Sequence, residues 1–199
     1  KVRHMITWNQ ESNKVYCRHK GLDIYFYVPF DFNIEDTRPE TLELLTIILF
    51  SPFHKDMVSR EFVSKDTVSN KCGLSLSTGK DSVAAMMLLP KDTELCYMRR
   101  NFKSLLKHYN ADRFCEALPK RVWSVRSNHE KIRTFHNLSA GFSMDLSCVA
   151  HLVLMSDYLG VGRICLGSPT IDQTYLRKNH YRHFCDKKFV IGVDPYEYN

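Results

Sequence analysis

No apolar run in this chain approaches the ~20 residues that a helix needs to cross a bilayer, which sets a helical membrane span aside. No CxxC pair occurs, so a zinc ribbon has no support. None of the nine histidines stands in an HExxH spacing, so a zincin is not expected either. His180 and His183, separated by Tyr181 and Arg182, read as surface decoration. No internal repeat or low-complexity stretch is present. The seven cysteines, Cys17, Cys72, Cys96, Cys115, Cys148, Cys165 and Cys185, are odd in number, scattered and mostly inside apolar runs. That is the usage of reduced core thiols in a cytoplasmic protein rather than of a disulfide framework.

What remains is an ordinary composition with a basic balance. The 199 residues are 44% hydrophobic and 25% charged, enough for one α/β domain or a domain with a small appendage, and the net charge of +6 suits a polyanionic ligand such as ATP or nucleic acid. Arg99, Arg100, Lys103 and Lys107 form the densest basic group and read as a solvated face.

The chain is organised around residues 72–90. Gly73-Leu74-Ser75-Leu76-Ser77 reads as a short buried strand. Ser77-Thr78-Gly79-Lys80-Asp81-Ser82 reads as a turn, and residues 83–89 as a helix apolar all round and sunk into a core, stopped by Pro90. A strand–loop–helix unit aims backbone N–H groups and the helix dipole at whatever lies over the turn, which favours an anion at residues 78–83. The Walker phosphate loop fails here. Gly73 is one residue too far from Gly79, and Asp81 follows Lys80 where Ser or Thr should stand.

Before this unit, residues 14–18 and 22–28 read as a hairpin. A helix follows, capped at Thr37 or a neighbour, with Leu42, Leu45, Thr46, Leu49 and Phe50 at helical spacing and Pro52 closing it. Residues 1–60 are therefore expected as a small hairpin-plus-helix appendage, with its aromatic stripe in the core, and 70–199 as the main domain. In the latter, strands are expected at 93–98, 121–126, 163–166 and 190–193. Helices are expected at 104–118, with a break at Asn110-Ala111-Asp112, and at 144–159, ended by Gly160. The alternation predicts an α/β fold with a parallel sheet and helices on both faces. Ligands in such sheets bind beyond the strand C-termini where the order reverses. That places residues 77–82 and 167–172, with Gly167 and Asp172 as candidates, on one crevice. The basic, aromatic tail after Tyr175 reads as a surface helix or a wall over that crevice.

Ser77-Thr78-Gly79-Lys80-Asp81-Ser82 resembles the S-G-G-x-D-S loop of the PP-loop ATP pyrophosphatase superfamily, whose fold is the Rossmann-like HUP type. Thr78 replaces the first glycine of that loop. A β-branched residue at φ > 0 costs about 1–2 kcal/mol, so either position 78 is not left-handed or the loop is altered. The resemblance extends in pattern over roughly residues 70–180, through Val125 to Arg133 and through Ser156-Asp157-Tyr158-Leu159-Gly160 into the strand at 163–166. In style the chain is similar to carboxylate-activating members, such as the 7-cyano-7-deazaguanine synthetases and the PP-loop muramoyl-peptide epimerases, and the Gly-Lys-Asp-Ser core to phosphoadenylylsulfate reductases.

The resemblance implies an enzyme that cleaves ATP to AMP and pyrophosphate and adenylates a small acidic substrate. By that implication Ser77, Thr78, Gly79 and Ser82 hold pyrophosphate, Lys80 supports the polyphosphate, and Asp81 helps hold Mg²⁺. Arg126, Lys131 and Arg133 would face the acidic substrate. Two other readings stand beside it. One is a sulfurtransferase working on tRNA or another nucleic acid by the same adenylation; the other is a catalytically degenerate nucleotide-binding module. Nucleic acid is the less favoured partner.

Overall fold

The computed structural model describes residues 6–54, 69–101, 108–139, 146–167 and 190–193. One eight-stranded mixed sheet runs through them, in the order β1-β2-β3-β6-β5-β4-β7-β8. An antiparallel meander opens it: β1 (Trp8–Glu11), β2 (Lys14–His19) and β3 (Leu22–Tyr27). The expected hairpin is β2–β3. Its two-residue turn is Lys20-Gly21, both at positive φ, the twist that keeps right-twisted strands paired. β3 then runs antiparallel to β6 (Val122–Ser127), with Phe26 opposite Ser127, so the meander continues the sheet of the main part.

The other five strands, β6, β5 (Glu94–Arg100), β4 (Cys72–Ser75), β7 (Arg163–Gly167) and β8 (Val190–Val193), are all parallel. In chain order they lie third, second, first, fourth, fifth. The chain is thus an α/β protein with a mostly parallel core sheet, and the strands expected at 93–98, 121–126, 163–166 and 190–193 are present within two residues.

Period-two alternation divides the sheet between two cores. On one face Val15, Cys17, Ile24, Phe26, Cys96, Val125 and Ile164 pack beneath helices α1 (Pro39–Phe50) and α5 (Ala150–Met155). On the other, Leu74, Leu76, Leu95 and Cys165 pack beneath α2 (Lys80–Leu88) and α3 (Tyr109–Ala117). A short helix, α4 (Lys131–Phe135), follows β6 and packs near β3. No described helix is long and apolar enough to cross a membrane.

One local expectation is narrowed and three are corrected. Of Thr37 and its neighbours, Arg38 is the residue at the N-cap of α1. The helix starts at Pro39, whose missing N–H costs nothing there, and the Asp157 carboxylate reaches in from the turn after α5. It accepts from the Arg38 N–H at 2.9 Å and the Thr41 hydroxyl at 2.8 Å, and pairs with the Arg38 guanidinium at 2.7 Å.

α2 is not sunk in the core. Only Ser82 and Ala85 are buried, while Met87 is 78% exposed and Leu88 43%. Asn110-Ala111-Asp112 do not break α3 but lie inside it, with Ala111 buried and Asp112 bidentate to Arg99; residues 102–107 lie outside the described set. The helix expected over 144–159 is a 3-10 turn, Leu146–Val149, running into the six residues of α5, all buried. Ser156 ends it by donating both its N–H and its hydroxyl to the Val153 carbonyl, three residues back, which tightens the last turn. Gly160, at φ +64, closes the turn that follows, and not the helix itself as expected.

Candidate functional site

β4 has β5 on one side and β7 on the other, so the chain order reverses at its C-terminal end. The loop of residues 77–79 leaves the sheet at that point and enters α2. Thr78 adopts φ +61, the left-handed region. This answers the alternative left by the sequence: the β-branched residue occupies the left-handed conformation, at a cost of about 1–2 kcal/mol.

A closed ring of hydrogen bonds holds it there. The Gly79 N–H donates to Ser77 Oγ at 3.3 Å, and Ser82 Oγ donates to the Gly79 carbonyl at 3.0 Å. Since the carbonyl only accepts, Ser82 has spent its proton, and Ser77 donates across the 3.0 Å contact between the two hydroxyls. The Ser77 N–H adds a further bond to Ser82 Oγ at 3.2 Å. Ser82 is 4% exposed, so its hydroxyl shapes the loop from within. Ser77, Gly79 and Lys80 are exposed, and Thr78 and Asp81 half-buried. The first N–H groups of α2 have no acceptor within the helix and point along its axis out of that turn.

Gly167, the last residue of β7, lies against this turn. A Cβ there would sit 2.4 Å from the Asp81 carbonyl oxygen and 2.7 Å from the Ser82 nitrogen, so only glycine lets β7 and the start of α2 approach this closely. The crevice thus gathers Ser77, Thr78, Gly79, Lys80, Asp81, Ser82 and Gly167. Asp172 and the tail after Tyr175 lie outside the described residues. On the far side of β4, Ser75 Oγ donates to the Cys148 carbonyl at 2.8 Å, tying the strand to the turn before α5.

No family model, curated protein or solved structure matches this chain.

The candidate substrate residues are not brought to the loop. Arg126 lies over the Tyr27 ring at 5.2 Å, on β6, two strands from β4. Lys131 and Arg133 stand on α4 near β3, three strands away, and Arg133 donates to the Ser139 carbonyl at 3.0 Å. Between them, Ser127, Asn128, His129 and Glu130 are all less than 5% exposed, so this stretch is interior rather than substrate-facing. Asn128 bonds the β3 backbone through both ends of its amide. Glu130 pairs with Arg100, which is therefore not part of a solvated face. Arg99 is likewise paired, with Asp112.

The sequence reading missed two histidines. His129 is stacked on Phe26 and held between Ser127 Oγ and the Ser147 carbonyl. Its Nε2 must carry the proton, because the carbonyl only accepts, and Nδ1 takes the Ser127 proton. His151 on α5 points Nε2 at the Cys96 carbonyl at 3.1 Å. Burial pushes His129 down to about 3 and His151 to about 4, so both imidazoles are neutral at ordinary pH. Nothing in their local sequence separates them from surface histidines; only the long-range packing does.

Burial also raises the thiols, Cys96 strongly and Cys165, beside Cys72, to about 12. Such thiols are poor nucleophiles. Among the described residues no group of three or more His, Cys, Asp or Glu could hold a metal ion. Mg²⁺ differs in its demand, since it is usually held by one or two carboxylates together with substrate phosphates and water. Asp81, half-buried in the first turn of α2 beside the loop, meets that smaller requirement.

Proposed function

We propose that the loop at residues 77–82 cradles the polyphosphate of ATP and that the chain is an adenylating enzyme of the PP-loop ATP pyrophosphatase type. The observation that carries this reading is the left-handed Thr78, held by the Ser77–Gly79–Ser82 ring at the point where the strand order reverses. The chain accepts the strain of a β-branched residue there and so keeps the turn that a glycine would give. The parallel order third-second-first-fourth-fifth, with the ligand crevice at the reversal, is that of the Rossmann-like nucleotide-binding folds, and it supports the HUP assignment.

In the reaction, a carboxylate oxygen of an acidic substrate attacks the α-phosphorus of ATP. The bond from that phosphorus to the bridging oxygen breaks, and pyrophosphate leaves with the electron pair. The acyl adenylate then meets a second nucleophile. This chain's part is positional and electrostatic. The first N–H groups of α2 and the Lys80 ammonium meet charge on the leaving pyrophosphate. Ser82 and Ser77 fix the loop, and Gly167 lets the fourth parallel strand support the helix start. Mg²⁺, with Asp81 as its protein ligand, would neutralise phosphate charge. Sulfur transfer is less favoured, because the thiols of Cys17, Cys96 and Cys165 are buried and raised.

The test is incubation with α-labelled ATP, Mg²⁺ and a pool of acidic metabolites, followed by separation of nucleotides. AMP with pyrophosphate is the expected outcome. ADP with orthophosphate, lost in Gly79→Val, would overturn the reading in favour of kinase or ATPase chemistry. Tight ATP binding with no turnover would favour the degenerate module, the reading that the strain at Thr78 keeps open.

A further inference from the structure

The two faces of the sheet are not equally covered. On the β1–β3 side, α1 and α5 bury Val15, Cys17, Ile24 and Phe26. The alternate residues of the same strands point the other way, and the core beneath α2 and α3 includes no side chain of β1, β2 or β3. Among the described residues this leaves an open surface built of Lys14, Tyr16 and Arg18 on β2, Tyr25 and Tyr27 on β3, and Arg126 on β6. Three half-buried tyrosines on a sheet face that no described helix covers are a large apolar load to leave against solvent.

Register brings these side chains together. Lys14 stands opposite Tyr27, Tyr16 opposite Tyr25, and Tyr27 opposite Arg126. The Lys14 ammonium is 5.3 Å from the Tyr16 and Tyr25 ring centroids, and the Arg126 guanidinium 5.2 Å from that of Tyr27. Tyr25 and Tyr27 meet edge to face at 5.4 Å, and Asn101 holds the Tyr25 hydroxyl, so the rings are set in place. The acids of the face are accounted for. Asp23 is paired with Arg18 at 2.7 Å, and Glu11, across from Lys14, accepts from the Tyr16 hydroxyl at 2.9 Å. Neither Lys14 nor Arg126 has an ion-pair partner among the described residues.

We propose that this face binds single-stranded nucleic acid, with bases stacked on Tyr25 and Tyr27 and phosphates met by Lys14 and Arg126. Aromatic rings fixed on a sheet with cations at their margins are what an unpaired strand requires, since every base has a π-face and every linkage a negative charge. The chain's net charge of +6 adds a general attraction of the same sign. Both cations reach their tyrosines at the long end of the cation–π range, so an arriving base displaces them toward its own phosphates. The face is distinct from the crevice at residues 77–82, and the inference does not depend on turnover there.

The experiment is fluorescence anisotropy with labelled oligouridylate and oligodeoxythymidylate of about ten nucleotides, without ATP, so that the adenylation reading can fail without touching the result. Both oligomers are expected to bind at low salt, with affinity that falls as salt rises and with quenching of tyrosine fluorescence. The tighter of the two identifies RNA or DNA as the natural partner. Tyr27→Ala and Tyr25→Ala should each weaken binding roughly tenfold, while Tyr27→Phe, which keeps the ring, should not. Lys14→Glu and Arg126→Glu should weaken binding and lower the salt slope by about one each, with folding of each variant checked by its urea midpoint. Absence of binding at low salt would overturn the proposal. So would binding that is unchanged in Tyr27→Ala and Lys14→Glu, or that a duplex of the same length competes away.

Discussion

Gly167 and Asp81 touch through their backbones: the position a side-chain carbon would take at residue 167 is 2.4 Å from the Asp81 carbonyl oxygen. This contact fixes where the fourth parallel strand ends relative to the start of α2, and therefore the width of the crevice. Gly167→Ala should push the helix start outward. We expect a loss of about 1–3 kcal/mol in urea unfolding, the usual cost of overpacking, together with loss of ATP binding by calorimetry. A variant as stable as the parent would show that the turn gives way freely.

Thr78 supplies the converse test. Thr78→Gly removes a β-carbon from a left-handed residue and should stabilise the protein by about 1 kcal/mol, read as a higher denaturation midpoint. ATP binding should be retained, because the backbone conformation is unchanged. A destabilised variant would mean that the Thr78 side chain contributes more than its backbone strain costs.

Asp81 and Ser82 should separate chemistry from scaffolding. Asp81→Asn is expected to lower pyrophosphate release at least tenfold while altering stability by no more than about 1 kcal/mol. Ser82→Ala breaks the hydroxyl ring and leaves the Ser77 N–H without its acceptor, so it should cost about 1–3 kcal/mol. Equal effects of the two on folding and on turnover would remove the distinction.

Acid should unfold the protein earlier than its carboxylates alone require. An unfolded histidine titrates near 6.5, whereas folded His151 and His129 refuse a proton until about 4 and about 3. The unfolded chain therefore binds more protons below pH 6.5. The stability these groups contribute is full above 6.5 and is lost as pH falls, by up to about 1.4 kcal/mol per pH unit for each. Urea midpoints measured between pH 7 and pH 4 should fall on this slope. His151→Gln, which keeps a donor for the Cys96 carbonyl, should reduce it by about half.

Residues 72–82 were legible because a short apolar strand, a glycine-bearing loop and a helix start are each local signals. Gly167 was legible through topology alone: alternating strands and helices imply a reversal, and the reversal implies a crevice. β1 was not legible. Trp8-Asn9-Gln10-Glu11 holds a single apolar residue, and the strand persists because β2 pairs with it and the Gln10 amide bridges the Phe32 carbonyl and the Ile34 N–H. The exposure of Met87 and Leu88 was hidden because an apolar helix pattern does not say which side the sheet lies on. The open tyrosine face had been expected as core, since alternation gives two faces without saying which one is covered. Arg126, Lys131 and Arg133 were candidates through the resemblance, in the segment after the third parallel strand, whereas β6 and α4 carry them away from β4.

The pairing of Phe26 with Ser127 and the capping of Arg38 by Asp157 each join segments more than a hundred residues apart. During synthesis residues 8–50 therefore emerge as a hairpin without a sheet to join and a helix without its cap. Both must wait, apolar faces uncovered, until β6 and then the turn after α5 leave the ribosome. These strands and α1 are made before the segments that secure them, and chains arrested before residue 122 are the ones a chaperone or a protease would find.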